Sequence, residues 1–335
     1  MRLKKSIYQS GLTFAFLLIL LSAACTSDHL DVSQEKGEPV VFALSFNNTV
    51  TRAVTMDNLW PANTEVTISN GTTRINFTTG ASPSTTSSVA TSLAPIGDDN
   101  FIWPTTDPGW SFSAWYPAGD SPVTSQTVAA DQSQNNLTES QYNAYDLLYC
   151  PPLAVSFRQK PVTLNFLHQM SRIVVIVNSS YTENKETVTG VRFGDGHIAL
   201  TGNITTQPST WVNGTTVWSQ GTQNSTITMR PNAAMTNASS HVYGFECMVP
   251  PQSYATEISH LLAISSTEAT EGNRTYYYGA SFNMQAGYQY TYNLLISEQG
   301  VITLATVKVT DWTTGTPVNN TATIPDKSYP ADPIN

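Results

Sequence analysis

Short runs in which large apolar residues occupy every second position recur along this chain, separated by clusters of Gly, Pro, Asn and Ser. Successive side chains of a β-strand point to opposite faces, so a period of two predicts a strand with one buried face. In the first run, from Val40 to Asn47, the large apolar residues are Val40, Phe42, Leu44 and Phe46. Many short strands with turn residues between them predict an all-β fold built from sandwiches.

The same pattern predicts most of the remaining secondary structure. The run at 172–177 is apolar on both faces, which predicts a fully buried central strand. One short helix is expected within Glu139–Leu148, ended by Pro151 and Pro152. We predict strands at 65–69, 74–78, 110–116, 162–166, 172–177, 188–193, 197–200, 226–229, 241–249, 260–265, 275–282, 288–296 and 301–309.

The length of 335 residues predicts two domains, because a domain typically has about 150 residues. Each would bury a proper core without disulfide bonds. The polar link from Ser179 to Lys185 is the expected boundary, giving domains at 53–178 and 179–335. The formal net charge is −9, and beyond the first residues no cluster of Lys and Arg occurs. Nucleic acid is therefore not an expected partner, since phosphate binding requires clustered cations.

Residues 1–24 have the features of a signal peptide: a basic start, an apolar run from Leu12 to Leu21, and small residues at 22–24. Cys25 follows directly and resembles the lipidated cysteine of a bacterial lipobox, although Ser22 stands where Leu is usual. Ordinary cleavage that leaves Cys25 as a free thiol is the alternative.

The two other cysteines, Cys150 and Cys247, lie far apart in the sequence. Two buried thiols that behave as small apolar side chains are the favoured interpretation. A disulfide between them remains an alternative in an exported protein. Neither has a spacing typical of metal ligands.

Catalytic motifs are absent from the sequence: it contains no HExxH, GxSxG, GxGxxG or P-loop pattern. We therefore predict no enzymatic activity, no metal and no cofactor. His197 in Gly-Asp-Gly-His would suggest a metal or a base, but a tight turn is favoured. His168 is interpreted as a hydrogen-bonded core residue. Asp98 and Asp99 favour a solvated turn over a calcium site.

Seven Trp residues raise the alternative of sugar binding, because aromatic platforms stack on sugar rings. Three of them, Trp103, Trp110 and Trp115, are close in sequence. Packing in a core explains such residues more often.

Several motifs, taken in order, resemble the fimbrillin family, the pilus subunits and related lipoproteins of Bacteroides-type bacteria. The resemblance covers nearly the whole chain. Its motifs are VVFALSFNNTVTRAV at 40–54 with Trp60 soon after, YDLLY at 145–149, VTLNFLHQMSRIVV at 162–175, VPPQSY at 249–254, AGYQYTYNLLI at 286–296 and VTDW at 309–312.

This resemblance implies two transthyretin-like β-sandwich domains in tandem and export as a lipoprotein to the outer membrane. It also implies assembly with other pilus subunits by strand exchange, serving adhesion to a host or bacterial surface ligand. An Arg-specific protease would cut between Arg52 and Ala53, so that residues 25–52 form a lipidated propeptide that contains the first strand. The strand at Val40–Asn47 would be removed with it. A strand from another subunit would then replace Val40, Phe42, Leu44 and Phe46.

The C-terminal tail bears on the type of subunit. After Trp312 it contains four prolines and few apolar residues. Proline removes ladder donors, so this tail is a poor strand donor, and a tip or accessory subunit is as well supported as a stalk subunit. Two other classes remain open: a surface glycan-binding lipoprotein and, ranked last, a secreted hydrolase with a dispersed site.

Overall fold

The computed structural model of the protein describes residues 37–46, 60, 62–80, 89–90, 93–179, 187–207, 210–211, 216–268, 272–297 and 302–312. Within these ranges the fold is all-β, as predicted. One short α-helix, α1 (Glu139–Asn143), is present. The strands are β1 (Phe42–Phe46), β2 (Glu65–Ser69), β3 (Arg74–Thr79), β4 (Val89–Ala90), β5 (Leu93–Pro95), β6 (Ser111–Tyr116), β7 (Ser125–Thr127), β8 (Leu148–Ala154), β9 (Val162–His168), β10 (Ser171–Ser179), β11 (Thr187–Ala199), β12 (Thr201–Ile204), β13 (Trp218–Gln220), β14 (Gln223–Thr228), β15 (Arg230–Pro231), β16 (Val242–Val249), β17 (Gln252–Glu268), β18 (Gly272–Met284), β19 (Tyr288–Ile296) and β20 (Ile302–Asp311).

The N-terminal half forms one eight-stranded sheet in the order β4-β1-β9-β8-β6-β2-β3-β5. Its two outermost strands, β4 and β5, are almost consecutive in the chain. Only three Cα steps of about 3.8 Å each separate Ala90 from Leu93, so both ends of the sheet lie close together. The sheet therefore curls around one aromatic-rich core, which includes Phe42, Phe77 and Phe112.

The C-terminal half is a sandwich of two sheets. The five-stranded sheet has the order β15-β16-β10-β19-β20, and the four-stranded sheet has the order β14-β11-β17-β18. Buried side chains of both sheets, such as Val175 from β10 and Phe193 from β11, belong to one continuous core. A smaller sheet, β13-β12-β7, adds one strand from the N-terminal half.

Strand β10 is buried from Ser171 to Val175 and again at Val177, as expected for a central strand, and it belongs to the C-terminal sandwich. It pairs antiparallel with β16 and parallel with β19. The hydrogen bonding therefore divides between β9 and β10. The boundary expected from the sequence, at 178/179, lies instead just before the last residue of β10. The polar link from Ser179 to Lys185 lies largely outside the described residues, and the number of independent domains stays a prediction.

A long connection between β6 and β8 ties the two halves together. The buried side chain of Gln132 exchanges two hydrogen bonds with the backbone of Met248, at 2.8 and 3.0 Å. Helix α1 starts with a capping box formed by Thr138 and Gln141, and it is shorter than the segment predicted. Arg230 of β15 forms an ion pair with Glu139 at the start of this helix.

Two elements differ from the sequence prediction in an informative way. The segments 188–193 and 197–200 were expected to be separate strands around a tight turn at Gly194–Gly196. The structure has one strand, β11, that continues through a bulge there. Strand β8 contains Pro151 and Pro152, which were expected only to end a helix. None of the helices in the described ranges is long and apolar enough to cross a membrane.

Candidate functional site

Strand β1 is inserted between two neighbours of very different length. On one side it runs parallel to β9 and pairs over its full length, from Phe42 opposite Val162 to Phe46 opposite Phe166. On the other side, among the described residues, β4 provides two paired residues, Val89 and Ala90. Most of the hydrogen bonding of β1 is therefore made with β9, and removing β1 would expose the edge of β9.

The side chains of β1 contribute directly to the N-terminal core. The ring of Phe42 is 2% exposed. It makes edge-to-face contacts with Phe77, Phe101 and Phe112 at centroid distances of 5.3, 5.9 and 5.0 Å. The other three residues of the predicted inward face, Val40, Leu44 and Phe46, are also buried. Ala43 and Ser45 of the opposite face are buried as well, so β1 is buried on both faces and the prediction of a single buried face is wrong for Phe42–Phe46. The role of the four inward-facing residues in strand exchange stays a prediction.

The segment before β1 is also attached to the sheet. The amide of Val40 donates to the carbonyl of Phe101 at 2.8 Å, and the amide of Trp103 donates to the carbonyl of Glu38 at 2.9 Å. Lys160 forms an exposed ion pair with Glu38. Exposed pairs of this kind contribute about 0–1 kcal/mol, so the backbone and the apolar face dominate the attachment.

The C-terminal end of β1 meets the C-terminal half through a column of stacked rings. Phe46 stacks on Trp60 at 4.8 Å and on His168 at 5.1 Å. The ring of His168 also stacks on the ring of Trp312, with the two centroids 3.9 Å apart. His168 is fully buried and its Nδ1 lies 2.9 Å from Asp146. The prediction that His168 is a hydrogen-bonded core residue is therefore confirmed, but its position at the junction was not foreseen.

The column continues to a buried charge pair. The guanidinium of Arg172 lies over the ring of Trp312 at 5.7 Å. Arg172 also forms an ion pair with Glu246 and donates to Gln289 at 2.9 Å. Because a buried charge must be neutralised and hydrogen-bonded, these partners fix the position of Arg172. The end of β1 is thus connected with Trp312, which follows β20, through a few packed side chains.

The candidate cysteines and processing residues from the sequence analysis lie either outside the described residues or in the cores. The lipidation residue Cys25 and the processing residues Arg52 and Ala53 lie outside the described residues. Cys150 and Cys247 are buried free thiols. Burial raises the pKa of Cys150 to about 12 and that of Cys247 well above its ordinary value. The interpretation of these two residues as buried thiols is confirmed.

The tryptophans serve mainly in packing. Five of them are buried, and the remaining two, Trp110 and Trp218, are partly buried against the cores. Asp98 and Asp99 lie in an exposed bend. Among the described ranges no group of three or more His, Cys, Asp or Glu side chains is placed to hold a metal ion.

The sequence model of the fimbrillin-like family matches residues 51–312, more than three quarters of the chain. The chain belongs to the fimbrillin-like family. The match begins just after β1, so the first strand of this fimbrillin-like protein lies upstream of the matched region.

Solved structures agree with the fold of this fimbrillin-like protein. A proposed cell adhesion protein from Bacteroides ovatus is 16% identical, with a TM-score of 0.58, over 82% of this chain and 98% of that one. A proposed cell adhesion protein from Bacteroides uniformis is 15% identical, with a TM-score of 0.52 and the same coverage. At such identities the likeness concerns the fold alone. No curated protein matches the chain.

Proposed function

We propose that this fimbrillin-like protein is a pilus subunit that polymerises by strand exchange and serves adhesion at the cell surface. The observation that carries the proposal is β1, a strand that is buried in the core yet precedes the region matched by the family. Its short pairing with β4 leaves β9 as its main partner. The adhesion role given to the two Bacteroides relatives agrees with this function, which is structural rather than catalytic.

The energetics favour exchange over simple loss of the strand. Burying each of Val40, Phe42, Leu44 and Phe46 is worth about 1.5–3 kcal/mol, or roughly 6–12 kcal/mol together. A whole domain is typically stable by only about 5–15 kcal/mol. An empty groove would therefore leave the N-terminal half close to unfolding. A replacement strand with the same alternation would add to the exposed edge of β9 and refill the core.

In this proposal, maturation of the exported chain prepares it for strand exchange. The chain is exported and anchored to the outer membrane through lipid on Cys25. An Arg-specific protease then cuts between Arg52 and Ala53. Cleavage alone leaves β1 in place, since its hydrogen bonds and apolar face still hold it. The strand leaves with residues 25–52 only when the strand of another subunit enters.

The test is to produce the chain from Ala53 onward and to add a synthetic peptide of residues 40–47. We expect the truncated protein to be unstable as a monomer and to regain its melting temperature when the peptide binds. A matched peptide with Phe42→Ala and Leu44→Ala provides the control, because it keeps the backbone donors and loses most of the apolar face.

A truncated protein that stays monomeric, melts at the original temperature and has no affinity for the peptide would refute strand exchange. Equal rescue by the control peptide would also contradict the proposal, since the apolar face would then not direct the insertion.

A further inference from the structure

A polar recess lies on the outer face of the four-stranded sheet. A row of directly paired residues crosses three strands there: Arg192 of β11 is opposite Ala263 of β17, which is opposite Tyr277 of β18. Residues paired in this way share one face of the sheet. The neighbouring row, which contains Phe193, is buried in the core, so the Arg192 row faces outward. Because Ala263 is small, it forms a floor between two long side chains.

A bulge in β11 brings a carboxylate to this recess. Phe193 and Ile198 pair with residues only two positions apart on β14, so the residues between them project from the ladder. Asp195 adopts a φ of 40°, in the left-handed region. At Gly194 φ is 102°, and a Cβ there would lie 2.1 Å from the side chain of Ile198. Glycine is therefore required for the bulge, and β-bulges often redirect side chains beside functional sites.

A second bulge, in β17, lies at the same level of the sheet. Ile258 and Leu262 pair with residues only two positions apart on β18, and His260 projects between them. Its ring lies 4.1 Å from that of Tyr277, with an angle of 32° between the planes. Its Nδ1 is 3.6 Å from a carboxylate oxygen of Asp195. Two independent irregularities thus converge on one surface recess.

The recess combines three kinds of recognition element around one cavity of about 110 Å³. Tyr277 and His260 form a tilted aromatic pair, Asp195 supplies acceptor oxygens, and Arg192 supplies guanidinium donors. Within the described part of the chain no carboxylate forms an ion pair with Arg192. Its donors are therefore available to a ligand, and charged donors and acceptors make the stronger hydrogen bonds.

We infer that this recess binds a terminal pyranose unit of a glycan. A pyranose offers an apolar face of C–H groups to the aromatic pair, and its neighbouring hydroxyls donate to Asp195 and accept from Arg192. A free amino acid would match the two charges, but the side chains of Asp195 and His260 are each about half exposed. Hydrated charges of this kind gain little from ion pairing.

The test is saturation-transfer NMR on the chain of residues 25–335, from which only the signal segment is missing. The probes are the methyl α-pyranosides of glucose, galactose, mannose and fucose at millimolar concentration, with L-alanine as the zwitterionic alternative. We expect at least one pyranoside to bind. Tyr277→Ala should raise its Kd about tenfold, which corresponds to about 1.4 kcal/mol. Arg192→Gln should weaken binding as well.

The control variant is Asn283→Ala, at an exposed position of the same strand as Tyr277, and it should leave the Kd unchanged. If Tyr277→Ala does not fold, Arg192→Gln and Asp195→Asn carry the test. Saturation transfer to L-alanine alone, or to none of the probes, overturns the inference. Binding that is equally strong in Arg192→Gln and Tyr277→Ala also overturns it. Either result leaves strand exchange untouched, because the recess shares no residue with β1.

Discussion

The substitution Phe42→Ala tests the contribution of β1 most directly. The ring is almost completely buried and contacts three other phenylalanines. Replacing a buried Phe with Ala typically destabilises a protein by about 3–5 kcal/mol, because it removes buried area and leaves a cavity. The crowded aromatic surroundings of Phe42 resist collapse around such a cavity. We therefore expect a loss of at least about 3 kcal/mol in the free energy of unfolding.

Val41 provides a matched control on the same segment. It precedes Phe42, points the other way and is 43% exposed. Val41→Ala should change stability by no more than about 0.5 kcal/mol, as is usual for surface substitutions. Urea unfolding of both variants, monitored by tryptophan fluorescence, measures their free energies of unfolding. The two values can be compared directly when both variants have the same denaturant slope m.

Phe42→Ala in the peptide of residues 40–47 tests whether burial of this ring also drives strand exchange. A loss of about 3 kcal/mol corresponds to at least about a hundredfold weaker binding to the chain that begins at Ala53. Equal stability of the Phe42→Ala and Val41→Ala proteins would refute the burial argument. A peptide that binds equally well with Phe42 or with Ala would refute its extension to assembly.

Three further predictions concern other parts of the molecule. Glu246→Ala should lower the free energy of unfolding by about 3–5 kcal/mol, because it leaves the charge of Arg172 buried without its partner. The double variant Arg172→Met/Glu246→Leu should recover most of that loss. No recovery in urea unfolding would contradict this prediction. Burial raises the pKa of Tyr116 and of Tyr149 from 10 to about 12. Since these phenols hold their protons more tightly in the folded protein, their contribution to stability is complete below pH 10 and is lost as the pH rises towards 12. Unfolding by circular dichroism should therefore accompany their tyrosinate absorbance in that window, and full ionisation near pH 10 in an intact fold would contradict this. Cys25→Ser should abolish labelling with palmitate and release the protein from the membrane fraction, whereas equal labelling of both proteins would remove the lipid anchor from the account.

Local patterns predicted much of the fold. Strand β2 was expected at 65–69 and is found at Glu65–Ser69, because alternation and turn residues are both local signals. The buried strand β10 was also foreseen from its uninterrupted apolar run. Its partners were not, since β16 and β19 lie far away in the sequence and pairing depends on the whole sheet. The expected division, near the end of β10, therefore differs from the division of the hydrogen bonds, which lies before β10.

The recess on the four-stranded sheet shows why other features, such as bulges, could not be predicted from the sequence. Gly194, Asp195 and Gly196 all adopt positive φ, which the sequence indicates equally well for a tight turn and for a bulge. Only the pairing of Ile198 with β14 distinguishes them. The prolines of β8 pose the same difficulty. Pro151 and Pro152 are tolerated because they lie at the register shift in the pairing of β8 with β6, between Cys150 and Leu153, and β8 pairs with β9 only at Leu148 and Tyr149.

The central claim is that β1 is removed and replaced during assembly. The most direct measurement is the N-terminal residue of the protein in fibres purified from the cell surface, determined by mass spectrometry. The account predicts a subunit that begins at Ala53 and lacks Phe42–Phe46. Fibres whose subunits begin at Cys25 and retain that strand would contradict it.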